Sequence, residues 1–223
     1  HAAGSRMSHA TPPGSQDGHR PRHFSMLRDF HLADWLTLAN AMCGTGAVLL
    51  AMRSLRDGDT RWLLAGMALI PLAFLFDALD GRVARWRQTP SVLGRELDSL
   101  SDVISFGVAP AALAYASGMQ GGWDAIVLGY FVCCGVSRLA RFNVTAEQLA
   151  GGGDKVKFFE GTPIPTSIVL VAMLAVAAWR GDVGEALWFG THALGPWQFH
   201  PLVLAFALSG SLMISKTLRI PKW

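Results

Sequence analysis

The chain has 223 residues, 51% of them hydrophobic and only 16% charged, with a mean hydropathy of +0.33. A soluble domain carries roughly 25% charged residues, so this composition excludes an ordinary soluble globule and points to an integral membrane protein. The formal net charge of +3 makes no case for a nucleic-acid partner, because in a membrane protein the placement of Lys and Arg matters more than their sum.

In chain order, HAAGSRM reads as an expression scar, with the native start expected at Met7. Residues 8–24 are rich in Ser, Pro, Gly and His and read as a disordered tail. The folded domain is therefore expected over 25–223, and 25–34 (SMLRDFHLAD) suits a short interfacial helix. Six apolar stretches follow, near 33–53, 62–82, 97–117, 123–140, 163–179 and 198–215. Each is close to the ~20 residues a helix needs to cross a bilayer, so the expected fold class is an all-α integral membrane protein with six transmembrane helices. Pro71, Pro110 and Pro201 fall inside or at the start of spans, where neighbouring helices satisfy freed carbonyls. Cys133 and Cys134 are adjacent within an apolar run and lack metal or redox spacing, so packing is the expected role. Residues 184–190 (GEALWFG) are too short to span and are expected at the interface.

With the N-terminus inside, the inner segments hold fourteen Lys and Arg counted from Met7, and the outer loops hold four: Arg53, Arg56, Arg61 and Arg180. The positive-inside rule then places both termini in the cytoplasm, and the same orientation puts residues 77–102 at the cytoplasmic side of the membrane.

That region reads D-A-L-D-G-R-V-A-R-W-R-Q-T-P-S-V-L-G-R-E-L-D-S-L-S-D from Asp77 to Asp102. Asp77 and Asp80 are three apart, and Asp98 and Asp102 four apart, so each pair shares a helix face. Charges in a spanning segment are costly and usually functional. Four converging carboxylates are what a hard divalent cation, Mg²⁺ or Mn²⁺, requires. Gly81 and Ala84 make a bare strip where a phosphate can approach the backbone, with Arg85, whose guanidinium fork suits a phosphate, on roughly the same side. Gln88 to Gly94, with Pro90, are expected to form a turn. The set fits metal-assisted phosphoryl-group chemistry. Asp102, one turn deeper than Asp98, is the expected general base. Two other readings exist: a structural network of ion pairs to Arg82, Arg85, Arg87 and Arg95, and a divalent-cation transporter. The network leaves the Gly81–Ala84 strip without a purpose. A transport path predicts carboxylates along several spans, whereas spans one, four, five and six carry essentially none at mid-membrane.

The pattern Asp77-x2-Asp80-Gly81-x2-Ala84-Arg85-x8-Gly94-x3-Asp98-x3-Asp102 resembles the full signature of the CDP-alcohol phosphotransferases. The resemblance implies a six-helix membrane enzyme, commonly a homodimer, that displaces CMP from a CDP-linked lipid with the hydroxyl of a second alcohol. It further implies that the four aspartates hold two divalent metal ions, that Gly81, Ala84, Arg85 and Gly94 bind the CDP-lipid, and that Asp102 is the base.

The acceptor is indicated by flanking stretches. Leu36–Gly44 (LTLANAMCG), Leu97–Ala111 (LDSLSDVISFGVAPA), Arg138–Asn143 (RLARFN) and Phe158–Pro165 (FFEGTPIP) are similar to those of membrane-embedded phosphatidylserine synthases. The expected reaction is transfer of a phosphatidyl group from CDP-diacylglycerol to L-serine. The alternative acceptors are glycerol 3-phosphate, an inositol phosphate and choline. Arg138 and Arg141, three apart at the cytoplasmic end of span four, are candidates for the serine carboxylate or the lipid phosphate, or else simple positive-inside anchors. Asn40, in an apolar span, bonds either the nucleotide or a neighbouring helix. Thr166 and Ser167 are expected to bond backbone near Pro165.

Overall fold

The computed structural model describes residues 32–87, 92–150, 158–160, 162–215 and 219–221, all within the compact unit His31–Trp223. The tail, and all of the expected interfacial helix before Leu32, lie outside the described residues. Helix α1 spans Leu32–Asp57 and buries Asp34, Thr37, Asn40, Cys43, Gly44, Ala47, Ala51 and Ser54. Those intervals of one, three and four keep a single stripe inward. Its other faces carry exposed Met42, Leu49 and Met52. A helix apolar all round suits contact with protein on one side and lipid on the other.

Gly58, at φ 68°, donates its N–H to the Ser54 carbonyl and closes α1 in the left-handed conformation that glycine adopts without a Cβ penalty. The chain then returns as α2, Thr60–Arg87, packed along α1. Leu63, Met67, Ile70 and Ala73 of α2 and Ala47 and Ala51 of α1 belong to the buried core.

The third span is a composite. Helix α3, Val92–Asp102, passes into a π-helical segment, Val103–Val108, and then into α4, Ala109–Ala116. Pro110 explains the widened turn. Its ring opposes the carbonyl of residue 106 and supplies no N–H, and just before it the Ala109 N–H reaches back to Ile104. A π-turn inserted in an α-helix often marks a functional site, and here it begins one residue after Asp102.

Helix α5, Gly122–Ala150, outlasts the expected span by ten residues at its C-terminal end and packs along α7, Leu204–Ile214. Phe131 and Phe206 meet edge to face at 5.3 Å between centroids. Helix α6, Ser167–Arg180, is entered through a 3₁₀ turn at Ile164–Thr166. Pro163 is extended, at φ −65° and ψ 148°. Two short antiparallel pairs complete the chain: β1 (Phe158–Glu160) with β4 (Arg219–Pro221), and β2 (His192–Leu194) with β3 (Trp197–Phe199).

The structure bears on two of the expectations. Four helical segments among the described residues are long and apolar enough to cross a membrane: Leu32–Asp57, Thr60–Val83, Leu93–Ala116 and Gly122–Thr145. Two apolar helices, Ile164–Arg180 and Pro201–Ile214, are shorter, because prolines delay the start of each and the sixth stretch gives its first residues to a hairpin. Next, Val92–Gly94 are already helical, so the expected turn does not extend through Gly94; residues 88–91 lie outside the described residues. The segment 184–199 holds a 3₁₀ turn (Gly184–Ala186) and the β2–β3 hairpin. Trp123 donates its indole N–H to the Leu194 carbonyl at 2.8 Å and packs on Trp197.

Candidate active site

The C-terminal part of α2, the N-terminal part of α1 and helix α3 lie at one end of the bundle. There Asp77, Asp98 and Asp102 offer one carboxylate oxygen each within 4.8 Å of one another. Asp80 stands apart from this trio. Three residues along an α-helix turn about 300°, leaving Asp80 about 60° from Asp77, whereas Asp98 and Asp102 differ by only about 40°. Asp80 Oδ2 accepts the Thr37 hydroxyl at 2.7 Å, in a buried contact.

The trio fits a divalent cation on its own chemistry. Asp98 Oδ1 is buried without a hydrogen-bond partner, and among the described residues no Lys or Arg forms an ion pair with Asp77, Asp98 or Asp102. Converging buried carboxylates repel unless a cation or protons intervene, and oxygen-only ligands suit Mg²⁺ or Mn²⁺. The competing reading, a network of ion pairs, thus finds no support at these three residues among the described side chains; those of Arg85 and Arg87 lie outside the described residues.

Asn40, fully buried, donates Nδ2–H to Asp102 Oδ1 at 3.3 Å, while its own Oδ1 has no partner. Of the two open readings, the helix–helix bond is thus present. Gly81 is part-exposed with nothing near the position a Cβ would take, so the strip is open there. Ala84 and Arg85 belong to α2 by backbone, and their side chains lie outside the described residues. Gly94 sits in the first turn of α3, one turn before Asp98.

Arg138 and Arg141 part company. Arg138 is half-buried, its Nε is shielded and without a hydrogen-bond partner, and its charge interacts with that of Asp102. Arg141 is exposed. Asn143 of the same helix ties α5 to α3, lying 3.0 Å from the Ser99 hydroxyl through Nδ2. Thr166 donates its hydroxyl to the Pro163 carbonyl at 2.7 Å, as expected of a residue bonding local backbone; Ser167 Oγ is buried without a partner.

Sequence reasoning assigned no role to Thr37, Ser101 or Ser105, which all reach into this region. Ser101 Oγ donates to the Thr37 carbonyl at 2.8 Å and Ser105 Oγ to the Asn40 carbonyl at 2.9 Å. Their signal was present: polar residues at intervals of three and four inside apolar spans, which in lipid are expected to find partners on other helices.

Comparison with known proteins agrees with this geometry. A family model described as CDP-alcohol phosphatidyltransferase matches residues 30–207. A Saccharomyces cerevisiae protein named CDP-diacylglycerol–serine O-phosphatidyltransferase is 42% identical over 218 residues, 95% of this chain and 79% of the relative. An archaetidylserine synthase of Methanothermobacter thermautotrophicus is 40% identical over 70% of this chain and 62% of its own length. A CDP-diacylglycerol–serine O-phosphatidyltransferase of Methanocaldococcus jannaschii is 38% identical over 66% of this chain and 62% of its own length. With the family match covering most of the chain and the aspartates of its helices α2 and α3 gathered at one end, this protein belongs to the CDP-alcohol phosphatidyltransferase family.

Proposed function

We propose that the protein transfers a phosphatidyl group from CDP-diacylglycerol to the hydroxyl of L-serine, giving phosphatidylserine and CMP. The observation that carries the reading is the convergence of Asp77, Asp98 and Asp102 beside Arg138, in a chain 42% identical to a relative named for this reaction.

Asp77, Asp98 and Asp102 hold divalent metal, Mg²⁺ or Mn²⁺, and Asp80 contributes its carboxylate from the edge of the trio to a second ion. Such ions neutralise a diphosphate and stabilise the departing oxygen. Gly81, Ala84, Arg85 and Gly94 receive the CDP group, the bare strip at Gly81 and Ala84 admitting phosphate oxygens close to the backbone. Asn40 contributes its unpartnered Oδ1 to the same lipid-linked nucleotide. Arg138 holds the serine carboxylate, the role for which a shielded guanidinium with a free donor is suited; exposed Arg141 is an anchor at the membrane surface.

Asp102 takes the proton from the serine hydroxyl. The serine oxygen then bonds to the β-phosphorus, the bond from that phosphorus to the bridging oxygen breaks, and CMP leaves with the electron pair. Asn40 keeps Asp102 turned by occupying one carboxylate oxygen, so that the other is available to the acceptor.

The shorter helices Ile164–Arg180 and Pro201–Ile214 complete six spans, the chain pairs as a homodimer, and the excess of inner Lys and Arg sets the active site at the cytoplasmic face. The test is CMP release by purified protein in detergent with CDP-diacylglycerol and Mg²⁺ or Mn²⁺, offering L-serine, glycerol 3-phosphate, an inositol phosphate and choline one at a time. Release that requires L-serine is expected. Release with a different acceptor alone would retain the chemistry and overturn the serine pocket.

A further inference from the structure

Helix α1 carries none of the aspartates of the signature, yet it touches two of them and the two serine hydroxyls that flank Asp102. Thr37 donates its hydroxyl to Asp80 at 2.7 Å, and its carbonyl accepts the Ser101 hydroxyl at 2.8 Å. Asn40 donates its side-chain amide to Asp102 at 3.3 Å, and its backbone carbonyl accepts the Ser105 hydroxyl at 2.9 Å. One turn further, Gly44 has no side chain where a Cβ would stand 2.7 Å from the Ser105 Cα and 2.9 Å from its N. Backbone therefore meets backbone at that point, which only glycine permits. Thr37, Asn40, Ser101 and Ser105 are all buried.

We propose that Thr37 and Asn40 are positioning residues that set where Asp80 and Asp102 stand for the metal ions, with the carbonyls of the same two residues locked to Ser101 and Ser105. The inference rests on the metal-site reading above and goes beyond it by assigning the site's geometry to a helix outside the signature.

The chemistry favours this over a merely adhesive contact. Thr37 has one hydroxyl proton and two acceptors in reach, the Ala33 carbonyl at 3.0 Å and Asp80 at 2.7 Å. The bond to a carboxylate is the stronger of the two. It engages one Asp80 oxygen, Oδ2, and holds that carboxylate toward α1, apart from the converging trio. Thr37 and Asn40 are offset by about 4.5 Å along α1, an interval that α2 and α3 cannot set between themselves because Asp80 and Asp102 sit on different helices. The π-turn that begins at Val103 adds to the same end: Ser105 lies within it and is the residue pinned against Gly44 and Asn40, so the bend stays in register with the aspartates.

The test is binding of Mn²⁺ alone to the purified full chain, read by the electron paramagnetic resonance signal of the free ion and by the shift of the unfolding temperature on adding metal. Thr37→Val keeps the shape and removes the hydroxyl. It is expected to weaken Mn²⁺ binding about 10- to 100-fold, the usual effect of removing a group that orients a ligand, with the metal-free unfolding temperature retained. Thr37→Ser, which restores the hydroxyl, is expected to recover wild-type binding to within about twofold on the same reasoning. Ser101→Ala touches no aspartate and is expected to weaken binding severalfold through the strut alone. Wild-type affinity in both Thr37→Val and Ser101→Ala would overturn the assignment. Wild-type protein that binds no Mn²⁺ would instead overturn the metal-site reading itself, and the positioning role with it.

Discussion

Asp124 and His200 lie 76 residues apart in sequence and 2.6 Å apart in space, His200 Nδ1 against Asp124 Oδ2. Asp124 also accepts the His200 backbone N–H at 2.9 Å and the Gly121 N–H at 2.9 Å. The second ring nitrogen, Nε2, stands 2.9 Å from the Thr191 hydroxyl. Both residues are buried, and together they fasten the residue that follows the β2–β3 hairpin to the first turn of α5, at the opposite end of the bundle from the aspartate trio.

Replacing Asp124 by Ala leaves two backbone donors and an imidazole buried without an acceptor. The expected loss is about 3 kcal/mol of stability, the scale of breaking a buried hydrogen-bonded pair by removing one partner. Unfolding in detergent followed by tryptophan fluorescence measures it. CMP release per folded molecule is expected to stay at the wild-type level, because the site is remote; a variant as stable as wild type would refute the clasp.

Asp102→Asn removes the proposed base and one ligand while keeping the shape. CMP release should fall by about 10²–10⁴, the range attributed to a general base. The same substitution removes one of three crowded carboxylates, so the unfolding temperature of metal-free protein should not drop. A variant with more than a tenth of wild-type turnover would take the base role away from Asp102.

Chelation separates the metal role from the fold. Treatment with EDTA is expected to abolish CMP release, and Mg²⁺ or Mn²⁺ to restore it, with far-ultraviolet circular dichroism unchanged throughout. The helices are held by packing such as Phe131 on Phe206 and Leu113 in the core, away from the carboxylates. Activity that survives exhaustive chelation would exclude the metal reading.

Arg138 and Arg141 should differ in kinetics. Arg138→Ala is expected to raise the KM for L-serine about 10- to 100-fold, since a hydrogen bond to a charged group contributes about 1.5–3 kcal/mol. Arg141→Ala, at an exposed position, should leave KM within about twofold, as surface charges contribute little. Equal effects of the two substitutions would mean that neither holds the acceptor's carboxylate.

The amino-acid sequence alone determined the helical membrane architecture and the chemical type of the site. Long apolar runs in water-free surroundings must satisfy their own backbone, which leaves helices as the economical answer for this pattern. Asp77, Asp98 and Asp102 were legible as candidate ligands because charge is costly in such runs. Spacing on one helix, however, reports only which residues share a face. The angle and separation between helices come from packing, so only the tertiary structure decided that Asp80 leaves the trio for Thr37, that Arg138 rather than Arg141 comes near Asp102, and that Asn40 bonds Asp102. The π-turn after Asp102 and the Asp124–His200 clasp were likewise hidden. The first depends on how Pro110 is accommodated within a span, and the second on two segments distant in sequence that the packing of α5 along α7 brings together.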